Sequence, residues 1–302
     1  MGPVVCRAFA EAGFKVRVLC HRKAVRSPGP NMEIVWGDVT RPETVKKAVE
    51  GVDAVDAVVH LAGLVQPLTE QKAELARKVN VGGTRTVVDL LKERRQSIPF
   101  VFASSSAVFG PCTDATECLD PARTACNPTS VYGRTKLEAE ELIKGSGIDY
   151  VILRMTSVPY SKLRLSDFKT HMFTIPLKNR IEFCHPDDAA RAMLNAVKRF
   201  DTVKGTTQMI GGGPGQQMLY EDMLRVVLGT FGLPLPPSRK FTQEPFPLHW
   251  YDTSKSQELL EYQNKTLADY CEDLAGQLPG PLVVLMRRCI GPAFGGLIVR
   301  LM

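Results

Sequence analysis

Through the first 155 residues, short apolar runs alternate with amphipathic stretches. Val4 to Ala12 carries apolar positions at helical spacing and is followed by Gly13, a helix stop. Lys15 to Cys20 and Glu33 to Trp36 read as strands, and Pro42 to Glu50 reads as a helix with Thr40 or Arg41 near its start. Ala54 to Leu61 predicts a buried strand, Glu70 to Arg95 a long helical region and Phe100 to Ser104 a strand. Val131 to Lys144 predicts a helix and Tyr150 to Leu153 a strand. Repeated β-α-β units with right-handed crossovers predict an α/β fold, a doubly wound parallel sheet covered by helices.

Beyond Arg154 the rhythm loosens into proline-containing loops. A helix is expected from Asp187 to Arg199, a strand near Thr206 to Ile210, a helix from Tyr220 to Thr230 and a connector from Pro234 to Pro247. The expected division is a sheet core over 1–155 with a return segment at about 180–208. Residues 156–179 and 209–302 then form a smaller capping lobe and C-terminal tail. Gly211 to Gly215 lacks a following Lys-Ser/Thr, so it predicts a tight turn rather than a phosphate loop.

Composition narrows the chemistry. The chain has 302 residues, 44% hydrophobic and 23% charged, with a net charge of +6 spread along its length. That dispersal suits an anionic small ligand and gives no footprint for nucleic acid. The eight cysteines form no C-x-x-C and the five histidines no H-x-x-x-H, so neither a metal centre nor a disulfide framework is expected, and a cytoplasmic setting is. No integral membrane span is predicted. The most apolar segment, Leu282 to Met302, is broken by Arg287, Arg288, Gly and Pro, and reads as a packed or dimer-forming tail.

Tyr132 and Lys136 stand four residues apart, which on a helix puts a phenol and an ammonium on one face. The same spacing recurs at Tyr251 and Lys255, so context must separate them. Tyr132 opens a helix between two strands and can stand at the carboxyl edge of the sheet, where open α/β folds bind ligands. Tyr251, Asp252 and Thr253 read instead as the capped entry to a C-terminal helix, a structural role. The strand before Tyr132 ends in Ser104-Ser105-Ser106-Ala107-Val108-Phe109-Gly110, which supplies hydroxyls.

Together with Asn80 in Val-Asn-Val-Gly-Gly-Thr, His60-Leu61-Ala62-Gly63, Gly37-Asp38-Val39 and His185-Pro186-Asp187-Asp188, these segments closely resemble the extended short-chain dehydrogenase/reductases, the NAD-dependent epimerase/dehydratase superfamily. The resemblance runs over nearly the whole chain with its motifs in family order. It implies a Rossmann-like core and hydride transfer between a nicotinamide cofactor and a hydroxyl or carbonyl carbon. A nucleotide sugar or related small molecule is the implied substrate. Tyr132 would be the acid/base, with its phenol pKa lowered by Lys136. Ser105 would hold the substrate oxygen, Lys136 would also bind the nicotinamide ribose, and Asn80 would support the site.

The same resemblance assigns the cofactor contacts. Asp38 and Val39 border the adenine, Leu61, Ala62 and Gly63 pass the cofactor's backbone, and Gly2 matches the third glycine of the dinucleotide turn. Where NAD-preferring members carry an acid, this chain has His21-Arg22-Lys23, so Arg22 favours NADP(H) over NAD(H). Ser106-Ala107 stands where 4,6-dehydratases carry Asp-Glu, which argues against that chemistry, and Arg154 to Tyr160 departs from the family's usual loop. Arg22 also leans toward a reductase or dehydrogenase that exchanges cofactor, similar to the dihydroflavonol reductase and 3β-hydroxysteroid dehydrogenase branch. The alternative is a non-catalytic cofactor-binding or scaffold protein, or an inactive truncated form.

The register also predicts a truncated N-terminus. The first strand and two of three turn glycines would occupy about ten residues before Met1. The prediction is that the 302-residue chain binds NADP(H) at best weakly. A fluorescence titration should show no saturation at micromolar cofactor; tight micromolar binding would contradict it.

Overall fold

A computed structural model describes residues 1–23, 25, 29–50, 55–94, 97–112, 118–161, 172–280 and 284. Helix α1 (Gly2–Glu11) leads into strand β1 (Val16–Cys20), followed by β2 (Met32–Trp36), α2 (Pro42–Val49) and β3 (Val58–His60). Then come α3 (Leu68–Gln71), α4 (Ala73–Arg77), a π turn over Lys78–Gly82, α5 (Gly83–Lys92), β4 (Phe100–Ser105), α6 (Val131–Lys144) and β5 (Tyr150–Met155). The later half holds β6 (Arg180–Glu182), α7 (Pro186–Lys198), α8 (Phe200–Val203), β7 (Thr207–Ile210), β8 (Gln217–Leu219), α9 (Tyr220–Gly229), α10 (Ser254–Leu260) and α11 (Leu267–Ala275).

Every pairing in the main sheet is parallel. β3, β4, β5 and β7 are hydrogen-bonded in that order, β1 and β2 form a separate pair, and β6 pairs with β8 antiparallel. The centre is dry on both faces: Phe100, Val101, Val151, Ile152 and Leu153 are all 0% exposed. Val4, Val5 and Phe9 of α1 and Ala189, Met193 and Ala196 of α7 cover one face. Val45 of α2, Val87, Val88 and Leu91 of α5, and Ala139 and Ile143 of α6 cover the other. Each of the Val, Leu, Ile, Phe and Met side chains among these contributes about 1.5–3 kcal/mol of burial, so the doubly wound architecture follows from apolar runs that need cover on two sides.

The differences from the sequence reading have local causes. The region expected as one helix from Glu70 to Arg95 breaks at Lys72 (φ −137°, ψ 63°) and widens into the π turn around Asn80, whose side chain turns away to Leu64. A π turn commonly marks a functional position in a helix. β6 and β8 span three residues each, too short for a periodicity to register. Gly213, at φ +80°, makes the expected tight turn. Leu260 and Tyr262 pack in the same cluster as α1 and α7, so the segment after residue 250 returns to the sheet rather than staying with the cap. The second cluster of the C-terminal half gathers Phe183, Val227, Phe231, Leu267, Tyr270 and Leu274.

Among the described residues no helix is long and apolar enough to cross a membrane. The apolar tail from Leu282 onward lies outside the described residues apart from Val284.

One buried ion pair fixes α6 to the sheet. Glu140, 0% exposed, receives Arg154 of β5 at 3.0 and 2.7 Å and the hydroxyl of Ser104 on β4 at 2.5 Å. Removing one partner strands the other charge in a dry site, which costs about 3–5 kcal/mol, whereas replacing both with apolar groups costs far less. Glu140→Ala should therefore destabilise the protein by about that amount in urea titrations, while the double substitution Glu140→Met with Arg154→Met recovers most of it.

Candidate active site

The site forms where β3, β4 and β5 end. Ser130 caps α6 by accepting the Gly133 amide at 3.0 Å, and the Glu70 carboxylate, arriving from α3, accepts the amides of Val131 and Tyr132 at 2.9 and 3.1 Å. These contacts satisfy the open amides of the first turn and place an anion at the positive end of the helix dipole. Gly133 allows a close approach, since a Cβ there would stand 2.4 Å from the Ala107 carbonyl. The first turn of α6 thus lies against the loop that leaves β4. Tyr132 and Ser105 come near one another there, close enough for the serine hydroxyl to act on the phenol, and Ser105 accepts the Ala107 amide at 3.2 Å.

One turn further along α6, Lys136 is 6% exposed. Its ammonium donates to the Ala103 carbonyl at 2.7 Å, lies 4.7 Å from the centre of the Phe102 ring and 6.0 Å from that of Tyr132. Asn80 is buried and links three segments. Its Oδ1 accepts the Leu64 amide at 2.7 Å, and its Nδ2 donates to the Leu64 carbonyl at 3.1 Å and to Thr135 Oγ1 at 3.0 Å. Gly63 sits between these groups: a Cβ added there would be 3.2 Å from Asn80 Oδ1 and 3.6 Å from Lys136 Nζ. Ser105, Tyr132, Lys136, Asn80 and Gly63 therefore converge from four separate segments, with Tyr132 and Lys136 sharing α6.

Burial sets the protonation states. It raises the Tyr132 phenol to about 12, against a lowering hydrogen bond from Ser105 and a further raising influence of Tyr160. Burial also pulls Lys136 down to about 8, opposed by Glu140 one turn below. The expectation that Lys136 would lower the phenol's pKa is thus corrected: in the protein alone, burial of the phenol raises it. His60, stacked on Phe100 and Phe102 and 3.0 Å from Thr84 Oγ1, is held neutral with its pKa at about 3 by burial and by Lys136. It braces the site and is itself part of the core.

The segment expected to face the adenosine is laid out differently. Asp38 accepts the amide and hydroxyl of Thr40, both at 2.9 Å; the amide bond is the main cause that holds its carboxyl below the usual range. His21 Nε2 lies 3.7 Å from Asp38 Oδ2, and His21, Arg22 and Lys23 are exposed. Val39 is buried in the core and touches the start of α5, since a Cβ on Gly83 would come within 2.7 Å of it, so its side chain is committed to packing. Leu61 packs beside α1 while Ala62 and Gly63 are exposed in the loop after β3. Gly2 opens α1, whose cap residue Met1 provides no side-chain hydrogen bond. A ribose would meet the remaining donors of Lys136 beside Gly63, with Asn80, whose own donors are taken by Leu64 and Thr135, holding that loop in place, and a phosphate would meet cations at Arg22 and Lys23.

The second Tyr-Lys pair proves structural. Tyr251 is 1% exposed against Phe109 and gives its amide to Glu182 at 2.8 Å, while Lys255 pairs with Glu258 on the surface. The N-cap of α10 is Thr253, whose side chain makes no capping bond, and Asp252 just before it accepts the Ser254 amide at 2.9 Å. His185, Asp187 and Asp273 gather their ligand atoms within 4.8 Å, but the Lys265 ammonium lies 2.9 and 3.2 Å from the two carboxylates and pairs with both. Sequence reading missed Glu70, Glu140 and Tyr160. Only Glu140 left a signal, four residues from both Lys136 and Lys144 on one helix.

Burying Lys136 costs stability. Its folded pKa lies below the unfolded value, so the unfolded chain binds the extra proton, and stability rises as pH climbs from about 8 toward 10.5. Below that window the penalty is fully present. Lys136→Met should therefore raise stability near pH 7 by about 1–3 kcal/mol, after loss of the bond to Ala103, with the gain shrinking as pH climbs from about 8 toward 10.5. Urea titrations across pH measure this.

The profile of the NAD dependent epimerase/dehydratase family matches residues 1–211. An uncharacterised protein, y4nG, of Sinorhizobium fredii is 32% identical over 75% of this chain and 57% of its own length. D-erythronate dehydrogenase of Haemophilus influenzae is 31% identical over 35% of this chain and 34% of its own length. The chain thus spans only about a third to a little over half of these relatives. Among solved structures, UDP-glucuronic acid 4-epimerase of Bacillus cereus, in complex with UDP-glucuronic acid and NAD, superimposes with a TM-score of 0.76 at 20% identity, covering 94% of this chain and 95% of that one. With the family profile running through the whole sheet and all the residues assembled at its carboxyl edge, the chain belongs to the NAD-dependent epimerase/dehydratase family.

Proposed function

We propose that this protein is an NAD(P)-dependent oxidoreductase or epimerase that moves a hydride at a hydroxyl or carbonyl carbon of a nucleotide sugar or related small molecule. The observation that carries this reading is the assembly of Ser105, Tyr132, Lys136 and Asn80 around Gly63. The bound nicotinamide would supply the hydride donor or acceptor. Ser105 would hold the substrate oxygen against the Tyr132 phenol, which passes the proton to or from that oxygen. Lys136, anchored on Ala103, would hold the ribose with its remaining donors, and Asn80 keeps the Leu64 loop and Thr135 in register.

A phenol raised to about 12 is protonated at neutral pH, which suits donation to a carbonyl that is being reduced. A cationic oxidised cofactor beside it would lower that value and suit the reverse direction. At the adenosine end, exposed Arg22 and Lys23, with Asp38 already engaged by Thr40 and His21, favour NADP(H). The sheet region over 1–155 with its return at about 180–208 would bind the cofactor, and the clusters around Phe183 and Tyr220 would cap the substrate.

A panel of nucleotide sugars and small ketones, assayed at millimolar NADPH and NADH, tests the reading. Tyr132→Phe should lower turnover by about 10²–10⁴-fold with cofactor binding unchanged, and Arg22→Ala should erode the preference for NADPH. Full activity of Tyr132→Phe would contradict the assignment.

A further inference from the structure

Tyr132 is held by more than its own helix. The first turn of α6 carries no acidic side chain, and the Ser130 side chain accepts the Gly133 amide. The Val131 and Tyr132 amides are taken instead by Glu70, 61 and 62 residues earlier in the chain, at 2.9 and 3.1 Å. A helix that needed only a cap could draw one from the residues just before it. This helix draws an anion from α3, in the segment that follows Gly63.

The carbonyl of Tyr132 leads back to the same segment. It accepts the Thr135 hydroxyl at 2.9 Å, Thr135 Oγ1 accepts Asn80 Nδ2 at 3.0 Å, and Asn80 holds the Leu64 carbonyl at 3.1 Å and the Leu64 amide at 2.7 Å. From Leu64 the chain runs on to Glu70 and so to the Tyr132 amide. Both polar groups of the Tyr132 backbone therefore belong to one closed ring of contacts that includes the loop after β3. Glu70 is itself firmly placed: its Oε1 also accepts the hydroxyl of Thr69, a residue 0% exposed, at 3.0 Å. Burial works to raise the Glu70 pKa, but the two amides of α6 and the Thr69 hydroxyl outweigh it and hold the carboxyl below its usual range. A second tie, from Arg77 of α4 to Glu138 of α6 at 2.7 Å, is exposed and contributes little.

We propose that Glu70 is a positioning residue for the reaction: it joins the loop that carries Gly63 to the first turn of α6, so that the Tyr132 phenol stays enclosed beside Ser105 and Lys136. The inference rests on the reading of Tyr132 as the acid/base. Tyrosine labelled with ¹³C at Cζ, assigned through Tyr132→Phe, reports the phenol without any substrate, so failure of this proposal is told apart from failure of the catalytic reading. In Glu70→Ala the first turn loosens and water reaches the ring while Ser105, Lys136 and Tyr160 remain, so the phenol's midpoint should fall from about 12 by about one pH unit or more, a tenfold change in acidity. Turnover of the panel substrate that the wild-type protein reduces with NADPH should fall at least tenfold, with KM within twofold. Glu70→Gln keeps the volume and one acceptor; it should move both readouts the same way by less, and it serves where the alanine variant fails to fold. Adding Val131→Asp to Glu70→Ala puts a local anion at the helix start, which should restore the urea midpoint but neither the phenol's titration nor turnover. An unchanged Tyr132 midpoint in a folded Glu70 variant, or recovery of that midpoint and of turnover by Val131→Asp, would make Glu70 a helix cap alone and overturn the proposal.

Discussion

The burial of Lys136 is the constraint from which the rest of the site follows. An ammonium at 6% exposure survives only because the Ala103 carbonyl, the Phe102 face and the Glu140 carboxylate one turn below each return part of its lost hydration. Those partners lie on two elements, β4 and α6, so the charge cannot be held unless helix and sheet are in one register. Glu140 in turn requires Arg154 from β5 and Ser104 from β4. A helix that contributes charged groups to a sheet's centre in two successive turns has little freedom to slide. Tyr132, at the open end of that helix, inherits its position.

The cost of this arrangement is paid in apolar packing elsewhere. The fully enclosed runs of β4 and β5, covered by α1 and α7 on one side and by α2, α5 and α6 on the other, provide the surplus that tolerates a desolvated lysine. The same burial that depresses Lys136 raises Tyr132, so the free protein holds a neutral phenol beside a lysine whose charge is weakly held. An adjacent positive nicotinamide would change that balance, which is how one pair of residues could serve both directions of hydride transfer.

Much of the sheet was legible because its strands are apolar runs with clear stops. Val131 to Lys144 was read with its observed ends, since Ser130 caps it and Gly145 follows it. What periodicity could not show depends on contacts between distant segments. The break at Lys72 and the π turn at Asn80 arise from hydrogen bonds to Leu64 and Thr135, and the three-residue strands β6 and β8 carry no period. In the site, family spacing pointed to Tyr132, Lys136, Ser105 and Asn80, but the direction of the phenol's shift was wrong from sequence because burial is a property of the fold. Glu70 lay in a helical stretch with nothing to mark it, and its place on the α6 amides depends on the turn made by Gln66 to Leu68.

The claim that burial governs this site is most directly tested by titrating the Lys136 side chain, using lysine labelled with ¹³C at Cε and assigned through Lys136→Met. The account predicts a midpoint near 8, well below that of the other lysines, together with no tyrosinate signal from Tyr132 below about pH 11. A Lys136 midpoint at the ordinary value of 10.5 would contradict it.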